Sequence, residues 1–445
     1  MRILRTALGA GLAALVFAGP GLAQPPSAQK PVWLGAWGYP PSPSPPGRPD
    51  PIVPPPPPLL NGKPYPGMPP ELLTSRVPAV PSFQTPDLSN VTVRELVRVS
   101  AAGKRVRIRL SNEAGDTPLV VGSVHVGEAG EDGAIVASDN HAVTFGGRTS
   151  VIVPSGAPLL SDPVDMPARA LETLIVSVYL PGSSVPRLGH TAWQFVSPGP
   201  DVGAAPAQPE KLIRLPVFAT RVDVEATEAR ATVVALGDSI TEGALSTSNA
   251  FRSWPDRLAE RLAAAHKPWA VVNAGIGGNR LLHNITGPSA LSRLDRDVLS
   301  VPGVKAIILL EGINDIQRTV DAGAVAPNDT AAAESVTADD IIFAYKQIIA
   351  RAHAQGVRVI GATLTPFEGA GTYTPAKEAI REAVNQWIRT TDQFDGTVDF
   401  EAIVRDPADP KAFREGLTGF DHLHPTDAGY AAMADAVNLD LISGR

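Results

Sequence analysis

The sequence of 445 residues contains no cysteine. Cysteine nucleophiles, cysteine-ligated zinc and iron–sulfur centres are therefore excluded, and stability has to come from packing, with no disulfides to help. No block of clustered lysine and arginine occurs either, and the formal net charge is −7, which argues against a nucleic-acid partner. Beyond the first residues no apolar run reaches the roughly 20 residues needed to span a bilayer. What remains is the composition of a folded protein, 44% hydrophobic and 19% charged, at a length that suggests more than one domain.

Residues 1–23 read as a secretory signal peptide. Arg2 and Arg5 supply a positive start, Ala7 to Phe17 an apolar stretch, and Gly21-Leu22-Ala23 a small-residue cleavage site. The expectation is an exported chain, periplasmic or extracellular, with no stable membrane anchor after cleavage. A proline tract follows at 40–58 and is expected to be an extended loop. From about residue 88 short strands alternate with turn signals. "KRVRIRL" sets Val106, Ile108 and Leu110 against Arg105, Arg107 and Arg109, the period of a half-buried strand, and "SVIVP" and "LETLIVSVYLPG" follow. Residues 24–225 are thus expected to form an all-β sandwich domain, jelly-roll-like, with Trp33 and Trp37 in it and the proline tract looping out. His125, His141 and His190 stand isolated there and are read as structural or surface residues.

From about residue 230 the rhythm changes to strand, helix, strand, helix. The strand candidates are "ATVVAL" (231–236), "WAVVN" (269–273), "KAIILL" (305–310), "VRVIGATL" (357–364) and "TVDF" (397–400). Trp254, Leu258 and Leu262 mark one amphipathic helix. Another begins at a capping box of Thr337 and Asp340 and stops at Gly356. Such alternation predicts an α/β domain over 226–445, a parallel sheet with helices on both faces.

Parallel sheets bind ligands at the carboxyl ends of their strands. There the chain delivers Gly237-Asp238-Ser239, then "NAGIGGNR" (273–280), then "EGIND" (311–315), and near its end "DHLHP" (421–425) before a helix opening at Thr426. A serine hydroxyl needs a base to take its proton, and the base needs an acceptor to orient it. Asp421 and His424 stand three apart, so one turn brings both side chains to the same side. A glycine-rich loop and the Asn314 amide offer donors for a developing oxyanion. No Gly-x-Ser-x-Gly surrounds Ser239, so the nucleophile elbow of α/β-hydrolases is not what presents it. Asp238 is expected to brace the turn through backbone N–H groups.

These four blocks, in this order, resemble the GDSL or SGNH-hydrolase family. The resemblance covers roughly residues 230–445 and implies a flavodoxin-like fold and a serine esterase, with Ser239 as nucleophile, Asp421 as orienter and His424 as general base and acid. It implies an oxyanion hole formed by the Ser239 and Gly278 N–H groups and the Asn314 side chain, with Gly277 the alternative to Gly278. The family base precedes proline, which selects His424 and leaves His422 as a loop or pocket residue. No cofactor is implied.

Exported members with a β-sandwich before the catalytic domain look like enzymes that remove acyl groups from carbohydrates. The loops "GALSTSNAFRS" and "GGNRLLHNITGPS" are largely polar, and Asn279 and Arg280 are candidates to hydrogen-bond a sugar or to anchor the loop. The expected substrate is a small-molecule or polysaccharide ester with a short acyl chain, acetyl first. Alternatives are a lipase or arylesterase, an acyltransferase to a sugar hydroxyl, a non-catalytic glycan-binding protein, and a metal enzyme using Asp421, His422 and His424, for which no further ligands stand at matching spacing.

Overall fold

Alternation along "KRVRIRL" does what it predicts: Val106, Ile108 and Leu110 are all fully buried on one face of a strand. The computed structural model describes residues 32–41, 88–130, 135–184, 194–200, 211–213, 218–247, 250–324 and 333–444. The expected signal peptide, most of the proline tract and His190 lie outside the described residues. The first strands are β1 (Trp33–Gly38), β2 (Val91–Arg98), β3 (Gly103–Ser111), β4 (Leu119–Val121), β5 (Ser123–Glu128) and β6 (His141–Val143). Then come β7 (Val151–Val153), β8 (Pro158–Leu160), β9 (Thr173–Leu180), β10 (Gln194–Pro198), β11 (Lys211–Ile213) and β12 (Ala219–Ala226). Two antiparallel sheets result, in the orders β1-β12-β3-β8 and β11-β10-β2-β9-β5-β6, with β4 and β7 paired apart. Val106, Ile108, Val222 and Val224 from the first sheet share one core with Val93, Val97, Val176 and Val178 from the second. His125 bonds Asn140 and His141 bonds Asp139, as structural residues do.

The second half is the α/β fold. Its strands are β13 (Ala231–Gly237), β14 (Trp269–Gly275), β15 (Val304–Leu310), β16 (Arg358–Ala362) and β17 (Gly396–Val398), all parallel, in the order β14-β13-β15-β16-β17. The interior strand β13 is buried at every residue. Helices on both faces leave no wet side, which is why its sequence is apolar throughout. The helices are α1 (Ser239–Glu242), α2 (Trp254–Ala264), α3 (Ala290–Leu294), α4 (Ile313–Arg318), α5 (Ala338–Ala354), α6 (Pro375–Thr390), α7 (Phe400–Val404), α8 (Asp427–Ala436) and α9 (Leu439–Ser443). The Thr337–Asp340 capping box starts α5, and Thr426 caps α8. The last strand is shorter than "TVDF" suggests, because Asp399 turns to cap α7 through the Ala402 N–H.

The two halves meet where β1 lies on β14. Gly35 N donates to Pro302 O at 2.9 Å, and Ser100 Oγ bridges Ala36 O at 2.6 Å and Val271 N at 2.8 Å. Trp33 stays with the β half, its ring 4.0 Å below the Arg107 guanidinium. Since β13 has β14 on one side and β15 on the other, the strand order reverses beside it. The crevice expected at such a switch point lies at the carboxyl ends of β13 and β15. Among the described residues no helix is long and apolar enough to cross a membrane.

Candidate active site

β13 ends on Gly237 because nothing larger fits: an added Cβ would lie 2.1 Å from Thr241 Oγ1 and 2.3 Å from Leu310 O. The chain then turns straight into α1. Asp238 is its N-cap, accepting from Ile240 N at 2.9 Å, so the acid of the motif braces the turn. Ser239 follows as the first helical residue, 7% exposed, while Gly243 closes the turn in the left-handed region at φ 103°.

The hydroxyl so presented meets the loop before α8. His424 Nε2 lies 2.7 Å from Ser239 Oγ, and His424 Nδ1 lies 2.5 Å from Asp421 Oδ2. The other Asp421 oxygen, Oδ1, accepts from Leu423 N at 3.1 Å and His424 N at 3.0 Å, so one carboxylate both shapes the loop and holds the ring. Burial works against charge on His424. The Asp421 hydrogen bond and charge, aided by Asp238 and Glu242, outweigh it and raise the imidazole above its ordinary value near 6.5. Burial likewise opposes ionisation of Asp421, but its bonds from His424 and the backbone hold it below the ordinary carboxylate range. A serine, a base and an orienting acid in one hydrogen-bonded row can activate an oxygen nucleophile.

Asn314 enters from the first turn of α4, after β15; its Nδ2 is shut off from solvent and has no hydrogen-bond partner. Gly278 sits in the loop after β14 at φ 69°, a conformation that favours glycine. Gly277 faces Glu242, whose Oε2 would come within 2.7 Å of an added Cβ.

Residues 235–432 match the model of the GDSL-like lipase/acylhydrolase family. The match places a GDSL-like lipase/acylhydrolase domain over this part of the chain. A domain of this family supports a carboxylic ester hydrolase and implies ester substrates. Among solved structures it is similar to a putative lipolytic protein of the family from Desulfitobacterium hafniense DCB-2, at 23% identity over 46% of this chain and 97% of that one, TM-score 0.35. It is also similar to a putative acylhydrolase from Bacteroides fragilis, at 22% identity over 48% and 88%, TM-score 0.35. A third is a catalytic mutant of an acetylxylan esterase from Geobacillus stearothermophilus, at 20% identity over 48% and 95%, TM-score 0.37. No curated protein sequence matches the chain.

For two residues with two readings, sugar contact or loop anchor, the structure shows the anchor. Asn279 and Arg280 are 0% and 1% exposed and face inward. Asn279 Nδ2 donates to Thr286 O and Pro288 O, each at 2.9 Å, and its Oδ1 accepts from Arg293 Nε at 2.9 Å. The Arg280 guanidinium bonds Glu334 at 2.6 Å and lies 3.4 Å from Asp315. Both anchor the loop and have no face to offer a sugar. His422 is exposed at φ 56° with its ring against Gly369, and it is a loop residue.

Beneath the site lies a buried group built around Arg293, a residue the sequence did not single out. Arg293, 1% exposed, donates to Gly237 O at 2.9 Å and Ala274 O at 2.7 Å, pinning the ends of β13 and β14 together. Glu311 lies 3.6 Å from the same guanidinium. Burial, with the Asp315 charge, pushes Asp238 up to about 7, and burial, with the Asp238 and Asp315 charges, pushes Glu311 well above the ordinary range. Asp315 completes the floor, accepting from Leu281 N at 2.6 Å and Leu282 N at 3.2 Å. Of these, Asp238, Glu311 and Asp315 stand in the blocks that follow β13 and β15, and Arg293 is the one with no sequence signal. Among the described residues no three His, Asp or Glu side chains gather as a metal-holding group.

Proposed function

We propose that this chain cleaves short-chain esters, acetyl esters of carbohydrates foremost, through an acyl-enzyme on Ser239. The observation that carries the reading is the row Asp421–His424–Ser239, with contacts of 2.5 and 2.7 Å. His424 Nε2 takes the hydroxyl proton as Ser239 Oγ bonds to the ester carbonyl carbon. Negative charge moves to the carbonyl oxygen, where the Asn314 Nδ2, the Ser239 N–H and the Gly278 N–H are the proposed donors. An amide proton with no acceptor in the resting protein suits that task. The carbon–oxygen bond to the alcohol then breaks, the alcohol leaves with the proton from His424, and water repeats the sequence to release the acid. Asp421 keeps Nδ1 protonated, so that Nε2 is the basic nitrogen.

A short acyl chain is supported by what the site lacks. The exposed large hydrophobic residues among those described are Val32, Val120, Ile152, Leu160, Phe343 and Ile403, none of them on the loops that follow β13 or β14 or on the loop before α8. Long chains need a broad apolar surface. The signal-like residues 1–23 support a place of action outside the cytoplasm.

The test is acetate release from acetylated polysaccharides beside a series of aryl esters of rising chain length, each with Ser239→Ala as control. Release from the polysaccharides that vanishes in the variant, with aryl-ester rates falling beyond short chains, bears the reading out. Rates that climb steadily past about eight carbons point to an apolar groove and a lipid substrate, since each buried CH₂ contributes about 0.8 kcal/mol.

A further inference from the structure

The residue that closes α1 is Glu242, three positions after Ser239 and 8% exposed. Its carboxylate lies between the nucleophile's helix and the loop of Gly277 and Gly278, close enough that an added Cβ on Gly277 would meet Oε2 at 2.7 Å. It is also one of the charges that raise His424. One of its hydrogen-bond donors comes from the β half. That donor is Tyr39 Oη, 203 residues away and the residue after β1.

The segment "WLGAWGY" is shaped to make that reach. Gly35 and Gly38 let β1 lie directly on β14, since an added Cβ would come within 2.5 Å of Val301 Cγ1 at the first and 2.7 Å of Val272 Cγ1 at the second. Leu34 fills the space over Gly303, whose added Cβ would meet Leu34 Cδ2 at 2.1 Å. Thr232 Oγ1, near the start of β13, donates to Gly35 O at 3.1 Å, and Tyr39 N donates to Thr220 O at 2.9 Å. Tyr39 is thereby delivered 4% exposed, and a buried tyrosine hydroxyl requires a partner. Glu242 is that partner.

We propose that Tyr39 and Glu242 are a positioning pair for the esterase reaction. The β half is then a working part of the active site, fixing α1 against the oxyanion loop and holding a negative charge near His424. Neither side chain reacts; both act through Ser239 and His424. The inference rests on the reading of Ser239 as nucleophile. Asp421 from its own loop, and Asp238 and Glu242 from the α1 segment, are the charged groups that face His424. Tyr430 of α8 donates to Ala244 O at 2.7 Å, and burial first, then the charges of Glu242, Asp238, Asp421 and Asp427, keep its phenol neutral well above the ordinary range.

The test uses Tyr39→Phe, Glu242→Gln and the double variant of the whole chain, assayed on an aryl acetate beside Ser239→Ala, with thermal melting of each. Tyr39→Phe keeps the ring and its packing, so the fold persists. The expected result is a fall in kcat of roughly 10-fold in each single variant, in line with the cost of slight misplacement of a reacting group, with KM within about twofold. The double variant is expected to be no slower than the worse single one, as for two members of one contact. Glu242→Gln should also move the acid limb of kcat/KM to lower pH, because a negative charge near the imidazolium is lost. Unchanged kcat and an unmoved acid limb in folded variants would overturn the pairing, even if melting temperatures dropped. An active Ser239→Ala would instead sink the nucleophile assignment, so the two failures are distinguishable.

Discussion

Replacing Asp421 by asparagine isolates orientation from folding. In the wild-type chain Asp421 Oδ1 accepts two backbone N–H groups, from Leu423 at 3.1 Å and His424 at 3.0 Å, while Oδ2 accepts from the imidazole at 2.5 Å. An asparagine has one acceptor oxygen and must spend it on one side or the other. Turned towards the ring, it leaves two backbone donors facing an NH₂ group, at a cost of about 2 kcal/mol or more. Turned towards the backbone, it keeps both of those bonds and gives up one. The second choice wins, so the loop survives and the NH₂ faces Nδ1. The imidazole must then accept at Nδ1 and carry its proton on Nε2, where it has no lone pair for the Ser239 hydroxyl. The expected loss in kcat is on the order of 10⁴, about 5.5 kcal/mol of barrier. The assay is steady-state hydrolysis of an aryl acetate, with melting temperature as the folding control. An asparagine variant that melts like wild type yet keeps more than about a tenth of the activity would refute the reasoning.

Three further outcomes follow from the same geometry. In wild type kcat/KM should rise with pH through an apparent value above 6.5, because His424 is raised and must be neutral to act as base; an acid limb centred below that value contradicts the assignment. Asn314→Ala should lower kcat by about 10²–10³ at nearly constant KM. Its melting temperature should hold, since the buried Nδ2 has no bond to lose, and a change confined to KM would remove Asn314 from the oxyanion site. Burial pushes Glu95 up to about 8, against the hydrogen bonds it accepts from Phe218 N and Ala219 N. The folded chain then binds that proton more tightly than the unfolded one. The stability it contributes is full below about pH 4.5 and is lost as pH rises through about 8, a change of roughly a few kcal/mol. Melting temperatures taken from pH 5 to 9 should fall less steeply in Glu95→Gln, and identical slopes would count against this.

The catalytic sheet was legible because its strands are covered on both faces and so declare themselves as unbroken apolar runs. Its helices carry their own start signals, as at Thr337 and Thr426. The row of Asp421, His424 and Ser239 was legible for a different reason: two of the three sit in one short turn, and the third follows a strand that must end in glycine. For Asn279 and Arg280 the choice between sugar contact and loop anchor stayed open in the sequence, because a polar residue in a loop gives no sign of which way the loop folds. Their burial depends on Arg293, Glu334 and Asp315, partners that only the assembled chain brings up. Tyr39 and Glu242 were out of reach altogether, being 203 residues apart with no pattern that links them. Local periodicity reports burial of an element; it carries no information on which distant side chain will meet a buried charge.

The most direct measurement is the site of covalent labelling by a fluorophosphonate, which forms a stable bond to an activated serine oxygen as fluoride leaves. Peptide mapping of the inactivated chain should find one adduct, on Ser239, with Asp421→Asn labelled far more slowly and Ser239→Ala not at all. Complete inactivation with the adduct on another residue, or full esterase activity retained by Ser239→Ala, would contradict the claim that Ser239 is the nucleophile.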